Sequence, residues 1–242
     1  MSSTTLNNGR FCNQFIRNLA VSFIAKKHNL FVDYSSHSMF NELGVTLFVG
    51  ERKHRNTIRI TDDNFFEILE SAELKSNIDA NDGYFQTAAI TNMLYKYLHT
   101  DIIRQSIIHH NPFSDRYNTN NDLCIHIRLG DSAHLNPGLR YYINSISKIT
   151  FDKIYITTDD ANHEIIKQII LAYPNAEILQ YDVIKTLQFA STCKNIILSH
   201  GSFSAVIGYI AFFSTIYYPE YESNKIWHGD IFSIEGWNKN SV

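Results

Sequence analysis

The sequence predicts an α/β protein of two lobes, the second built on a doubly wound parallel sheet. Beyond residue 122, short apolar segments at 123–127, 153–157, 176–180, 195–199 and 214–218 alternate with helical patterns at about 139–149, 161–173, 183–192 and 203–212. Strands separated by helices need crossover connections, which make the sheet parallel and cover both of its faces. Upstream, residues 114–122 are polar with Tyr117 as their lone aromatic, the composition of a connection. The chain therefore divides into an N-terminal lobe, residues 1–115, and a C-terminal lobe, residues 116–242.

Taken in order, residues 2–6 form a short polar strand and Asn7-Asn8-Gly9 a turn. Phe11, Phe15, Leu19 and Phe23 recur every fourth residue, with Ala20 and Ile24 widening the stripe, and Lys26-Lys27 follow where positive charge suits a helix C-terminus. Residues 30–34, 45–49 and 57–60 read as strands. The basic run Glu51-Arg52-Lys53-His54-Arg55 reads as a solvated loop, with an acceptor-facing patch as the alternative. Asp62-Asp63-Asn64 is an N-cap cluster before an amphipathic helix. Asp82-Gly83-Tyr84-Phe85-Gln86 gives a turn and a short strand, and one long helix runs from 87 to about 109, stopped by Asn111-Pro112.

Composition narrows the function. With 44% apolar and 13% aromatic residues in 242, the chain can bury a sizeable core. A net charge of −3 with no large basic block argues against a nucleic-acid binder. Cys12, Cys124 and Cys193 are few, odd in number and mostly in apolar settings, which fits buried reduced thiols and a reducing compartment. No apolar run reaches the roughly 18 residues of a membrane span, so a soluble, cytoplasmic protein without a transmembrane segment is expected.

The chemistry concentrates where strands end. Leu123-Cys124-Ile125-His126-Ile127 reads as a buried strand running into Arg128-Leu129-Gly130-Asp131. Ligands of open α/β sheets bind at the carboxyl ends of strands, and an Arg there presents a planar, permanently charged fork suited to phosphate. A purely structural account is also open, in which Arg128 and Asp131 pair only to pin the turn. A second strand ends in Ser199-His200-Gly201-Ser202-Phe203-Ser204, where a Gly permits the turn and two hydroxyls sit beside the free N–H groups of the next helix. Ser N-capping uses the same geometry. Asp159-Asp160 can cap a helix or accept hydrogen bonds from a nucleotide, and which of the two would do so stays open. No further acidic cluster supports a metal there.

His126-Ile127-Arg128-Leu129-Gly130-Asp131 resembles the His-x-Arg-Arg-Gly-Asp signature of the α-1,2-fucosyltransferases, glycosyltransferase family 11, within the superfamily that includes protein O-fucosyltransferases. Gly9-Arg10-Phe11-Cys12-Asn13-Gln14 resembles the opening Gly-x-x-Gly-Asn-Gln element, with Cys12 in place of its second Gly. Gly83-Tyr84-Phe85-Gln86, the Tyr141-Tyr142 pair, Asp159-Asp160, and Cys193-Lys194 through Ser204 match further elements in order. Leu129 replaces an Arg, His200-Gly201 replace Asn-Ser, Thr186 an Asp, and Ala205-Val206 a paired Trp. The resemblance implies a GT-B-like fold of two facing Rossmann-like lobes. It implies a metal-independent, inverting transfer of L-fucose from GDP-fucose to a glycan hydroxyl, with no cofactor beyond that donor. Arg128 would face the diphosphate as the catalytic residue. Donor binding would fall to His126, Asp131, Asp159, Asp160, Gly201, Ser202, Phe203 and Ser204, with Gly9, Arg10 and Asn13 facing them from the N-terminal lobe. Two alternatives remain, a transferase for another GDP-deoxyhexose and a non-catalytic nucleotide-sugar-binding module.

Overall fold

Two all-parallel sheets organise the chain in a computed structural model that describes residues 2–4, 9–221 and 229–242. The first joins β1 (Ser2–Thr4), β2 (Val32–Tyr34), β3 (Thr57–Arg59) and β4 (Asn77–Asp79) in the order β2-β1-β4-β3. Around it lie α1 (Phe11–His28), α2 (His37–Glu42), α3 (Phe65–Glu70), α4 (Ala88–Leu98) and α5 (Asp101–His110). The second sheet comprises β5 (Leu123–Ile127), β6 (Ile154–Thr158), β7 (Glu177–Ile178), β8 (Asn195–Ile197), β9 (Thr215–Pro219) and β10 (Asn238–Asn240). Its order is β10-β9-β8-β5-β6-β7, with α6 (Leu139–Ile146), α7 (Glu164–Ala172), α8 (Val183–Ala190) and α9 (Gly201–Tyr209) as crossovers.

Alternation within the central strands sorts side chains between two cores. Leu123, Ile125 and Ile127 of β5 pack with Tyr141, Tyr142, Ile166 and Ile169 under α6 and α7. Cys124 points the other way, into a larger core shared with α1, α4, α8 and α9. His126 and Arg128 continue that second face, because side chains alternate along a strand. Helix α1 packs directly against α9, so one apolar core is continuous between the two sheets.

Several local expectations change. The long helix breaks at His99, whose ring donates to Tyr209 O at 3.0 Å, and α5 starts anew after Thr100, whose hydroxyl donates back to Tyr97 O at 2.8 Å rather than capping it. Residues 45–49 form no strand. Val45 and Leu47 are buried, and Phe48 finds its backbone partners in Ser22 Oγ and Tyr34 OH, each at 2.8 Å, rather than in a ladder. Residues 84–86 also form no strand, and Phe85 takes φ 55°. Asp62 caps nothing locally; its carboxylate accepts from the N–H groups of Tyr84 (3.0 Å) and Gln86 (2.8 Å). The polar stretch after α5 holds a short 3-10 turn, where Arg116 pairs with Asp122 at 2.7 Å and bonds Thr192. The expected turn at Asn7-Asn8, and the end of the first strand, lie outside the described residues. Cys12, Cys124 and Cys193 are all buried and free, and no described helix is long and apolar enough to cross a membrane.

Candidate functional site

In the second sheet the strand order reverses direction between β5 and β8, the switch point where open parallel sheets bind ligands. Arg128 leaves β5 and His200-Gly201 leave β8 at this crevice. It opens into a cleft of ≈ 460 Å³ whose opposite wall is the turn before α1 and the 84–86 segment.

The C-terminal wall is tightly wired. Arg128 is 18% exposed and pairs with the carboxylates of Asp131 and Asp159, the latter at 3.4 Å from Nε. Asp159 also accepts from the backbone N–H groups of Leu129 (2.7 Å) and Gly130 (3.1 Å). A Cβ on Gly130 would sit 2.8 Å from the Asp159 carboxylate, so the glycine is what lets that carboxylate approach. Burial raises the Asp159 carboxyl, but those two N–H bonds and the Arg128 charge outweigh it and hold the group below its ordinary value. Deeper in, His126 is 4% exposed and its Nδ1 lies 2.5 Å from Ser204 Oγ, which accepts from Ser199 N at 2.9 Å. Burial, aided by the nearby His200, pushes the His126 pKa down to about 3. Above it, the first turn of α9 carries no side-chain cap, and Gly201, Ser202 and Phe203 line the cleft. An uncapped helix start of this kind offers N–H donors and a partial positive charge to an anion.

The N-terminal wall is looser. Gly9 has φ 93°, and Asn13 tucks so closely against it that a Cβ would lie 2.1 Å from Asn13 Nδ2. Asn13 Oδ1 accepts from Gln86 Nε2 at 2.9 Å, which ties the two halves of this wall together. Arg10 is exposed and reaches across the cleft to Asp131 at 2.8 Å. Asp131 thus sits between two guanidiniums; desolvation raises its carboxyl, but the charges of Arg128 and Arg10, with hydrogen bonds from Arg128 and Ser132, together outweigh it and hold the group below its ordinary value.

Of the residues singled out from the sequence, Gly9, Arg10, Asn13, His126, Arg128 and Asp131 line this one cleft, together with Asp159, Gly201, Ser202 and Phe203. Ser204 and Asp160 do not. Two residues along a helix turn about 200°, so Ser204 faces inward from Ser202, is fully buried and spends its hydroxyl on His126 and Ser199. Asp160 turns into the loop, where its carboxylate accepts from Asn162 N at 3.0 Å. Sequence reasoning missed Leu179, Tyr181 and Val183 at the far end of the cleft, where Thr186, noted in the sequence only as standing in place of an Asp, also lies. Tyr181 and Val183 are 44% and 41% exposed, and the signal for them was large apolar residues between β7 and the first position of α8. Among the described residues, no three His, Cys, Asp or Glu side chains cluster as metal ligands.

No protein-family model matches this chain, and no curated protein matches it in sequence. Solved structures do. The E. coli heptosyltransferase WaaC with ADP aligns over 100% of this chain and 93% of its own, at 9% identity and a TM-score of 0.54. The NodZ alpha-1,6-fucosyltransferase co-crystallized with GDP aligns over 63% of this chain and 57% of its own, at 13% identity and a TM-score of 0.39. NodZ from Bradyrhizobium aligns similarly, over 60% and 56%, at 12% identity and a TM-score of 0.39. The fold is thus that of the GT-B glycosyltransferases, with its C-terminal half a Rossmann-like parallel sheet.

Proposed function

We propose that the protein is an inverting glycosyltransferase that moves L-fucose from GDP-fucose to a glycan hydroxyl, without a metal. One observation carries the reading: a partly exposed Arg128 stands at the strand switch point beside the uncapped start of α9, so a guanidinium fork and backbone N–H donors share one cleft. In the transfer, the acceptor oxygen bonds to C1 of the donor as the C1–O bond to the diphosphate breaks. The electron pair goes to the β-phosphate and the acceptor's proton passes to water. Negative charge therefore grows on the phosphate, where Arg128 and the helix start would stabilise it. The sequence signatures at His126-Ile127-Arg128 and Gly9 to Gln14 support fucose as the sugar.

A second reading concerns the base. Guanine offers N1–H and an amino group that a carboxylate can accept, yet Asp159 is already committed to Leu129, Gly130 and Arg128, and no carboxylate stands among Leu179, Tyr181, Val183 and Thr186. That apolar end also suits adenine, so an ADP-sugar donor is the alternative. Calorimetry with GDP, ADP and UDP, each with and without EDTA, tests both. Tightest binding of GDP, unchanged by EDTA, is expected. Tighter ADP transfers the reading to the second donor class, and transfer activity lost in EDTA and restored by Mn²⁺ overturns the metal-free mechanism.

A further inference from the structure

A second cavity of ≈ 220 Å³ adjoins the cleft and shares Gln86, His200 and Gly201 with it. It is smaller than the roughly 300–1,000 Å³ of pockets for drug-sized ligands, so it suits a single ring rather than a nucleotide. Its apolar side is a row of three aromatic rings. Tyr218 stacks on Phe232 at 5.8 Å and 13°, and Tyr221 on Phe232 at 5.8 Å and 28°. Its lining includes His200 and Tyr221, whose buried Nε2 and OH have no well-formed hydrogen bond among the described residues, the Ser132 backbone being only close enough to His200 to favour its charged form. His200 as a whole is 5% exposed. A buried polar atom left unpaired costs about 1–3 kcal/mol, so two of them in one small cavity are a strong demand for a ligand that supplies hydroxyls.

The polarity of His200 follows from a chain of hydrogen bonds. Asn136 Nδ2 donates to Arg128 O (2.8 Å) and to Tyr142 OH (3.0 Å), while Asn136 Oδ1 accepts from Gly138 N at 2.8 Å, which fixes the amide's orientation. Tyr142 OH then donates to Ser199 Oγ at 2.9 Å, leaving the serine proton for His200 Nδ1 at 3.3 Å. The imidazole proton is therefore on Nε2, which makes that atom a donor. Burial, reinforced by the Arg128 charge, pulls the His200 pKa down to about 4, so the ring is neutral near pH 7.

We infer that this second cavity is the carbohydrate subsite of the enzyme: a pyranose ring packs its C–H face on the Tyr218, Phe232 and Tyr221 rings and bonds its hydroxyls to His200 Nε2–H and Tyr221 OH. This inference deepens the proposed transfer and rests on it for the nature of the substrate. The ring belongs either to the acceptor or to the donor's own sugar, and the chemistry of the cavity is the same for both.

The test uses the full chain and saturation-transfer NMR with methyl galactoside, glucoside and mannoside, with and without GDP. Tyr221→Phe removes only a hydroxyl that no described group of the protein uses. It is expected to keep or raise the melting temperature, to bind GDP as the parent does, and to weaken the glycoside about 3–10-fold. His200→Gln, which keeps an amide donor near the place of Nε2, should retain glycoside affinity that His200→Phe loses. The source of the ring is read from acceptor-free hydrolysis of the GDP-sugar: a loss matching the loss of glycoside affinity marks the donor's sugar, and a raised acceptor KM with hydrolysis retained marks the acceptor. A parent protein that binds GDP but none of the glycosides, parent-level glycoside affinity in both Tyr221→Phe and His200→Phe, or guanosine competing for the cavity overturns the inference alone. A parent protein that binds glycoside but no nucleoside diphosphate overturns the proposed function instead.

Discussion

The two walls of the cleft are built to different tolerances. On the C-terminal wall the charged groups are held from more than one side, Arg128 by two carboxylates and Asp159 by Arg128 and two backbone N–H groups, and the buried His126 is held through Ser204. On the N-terminal wall, the Arg10 side chain is 67% exposed and, among the described residues, pairs with Asp131 alone. Groups fixed before the ligand arrives cost nothing to organise when charge develops, whereas a free arginine must lose rotamer entropy first. The C-terminal wall is therefore the one suited to transition-state stabilisation, and the N-terminal wall to capture.

The largest expected effect breaks this contrast at its centre. Arg128→Ala should lower kcat about 10²–10³-fold, roughly 3–4 kcal/mol, while weakening GDP binding far less, because its interaction strengthens as the diphosphate departs. Arg128→Lys should restore little, since an ammonium keeps the charge and loses the fork. Steady-state kinetics on Arg10→Ala supplies the comparison: a change mainly in KM is expected. An equal collapse of kcat in both variants would erase the distinction between the walls.

Acid sharpens the same contrast through stability. His126 and His200 have pKa values depressed to about 3 and about 4, against about 6.5 in an unfolded chain. Between those limits the unfolded chain binds protons that the folded chain refuses. Their contribution is complete above pH 6.5 and is lost as pH falls below it, at roughly 1.4 kcal/mol per group per pH unit. The depressed carboxyls of Asp131 and Asp159 act in the same direction at lower pH, as they become protonated. Urea midpoints at pH 7.0 and 5.5 should therefore differ markedly in the parent, and His200→Gln should remove about half of the histidine-driven slope. A flat profile in the parent would show that these imidazoles are solvated.

A third effect isolates the wiring behind the wall. Ser204→Ala removes the hydroxyl that serves His126 and leaves the buried Ser199 N–H without an acceptor, so a loss of about 1–3 kcal/mol in stability is expected. The expected companion is a modest change in nucleotide affinity, because the residue stands behind the cleft rather than in it. A large loss of GDP affinity in a normally stable Ser204→Ala protein would return its hydroxyl to the ligand.

How much of this was legible in the sequence depends on what each residue's signal measures. Strand β5 was readable residue by residue, because both of its faces are covered and an unbroken apolar run has few other uses. The turn into α9 was readable because glycine at φ 87° marks it. Depth was not readable: Ser202 and Ser204 look alike in sequence, and helical phase alone sends one to the cleft and the other to the core. Strand β10, Asn-Lys-Asn, carries no apolar pattern, since it joins the edge of the sheet beside β9 by backbone pairing. The Tyr181 and Val183 end of the cleft was hidden for the opposite reason, because apolar residues that face a ligand read as core. His200 gave no sign of its role, which comes from a relay through Asn136, Tyr142 and Ser199 that only the fold assembles.

The smallest expected effect concerns Asp131, and it decides what the Arg128 pair is for. If the pair only pinned the turn, removing either partner would do similar damage. The geometry argues otherwise, because Asp131 is 59% exposed while Arg128 is 18% exposed, and a solvent-facing carboxylate contributes at most about 1 kcal/mol to folding. Arg128 also keeps Asp159 when Asp131 is gone. Asp131 further occupies the two guanidiniums, Arg128 and Arg10, that a diphosphate would use, so in the unliganded cleft it competes with the donor. Asp131→Ala should accordingly melt close to the parent temperature, and GDP affinity should stay level or rise by a few-fold, with the gain shrinking as salt screens the charges. Turnover should fall far less than in Arg128→Ala. Thermal melts and GDP titrations on the two variants side by side are the measurement: matched losses of melting temperature and turnover would make the pair a structural pin, and the catalytic assignment of Arg128 would go with it.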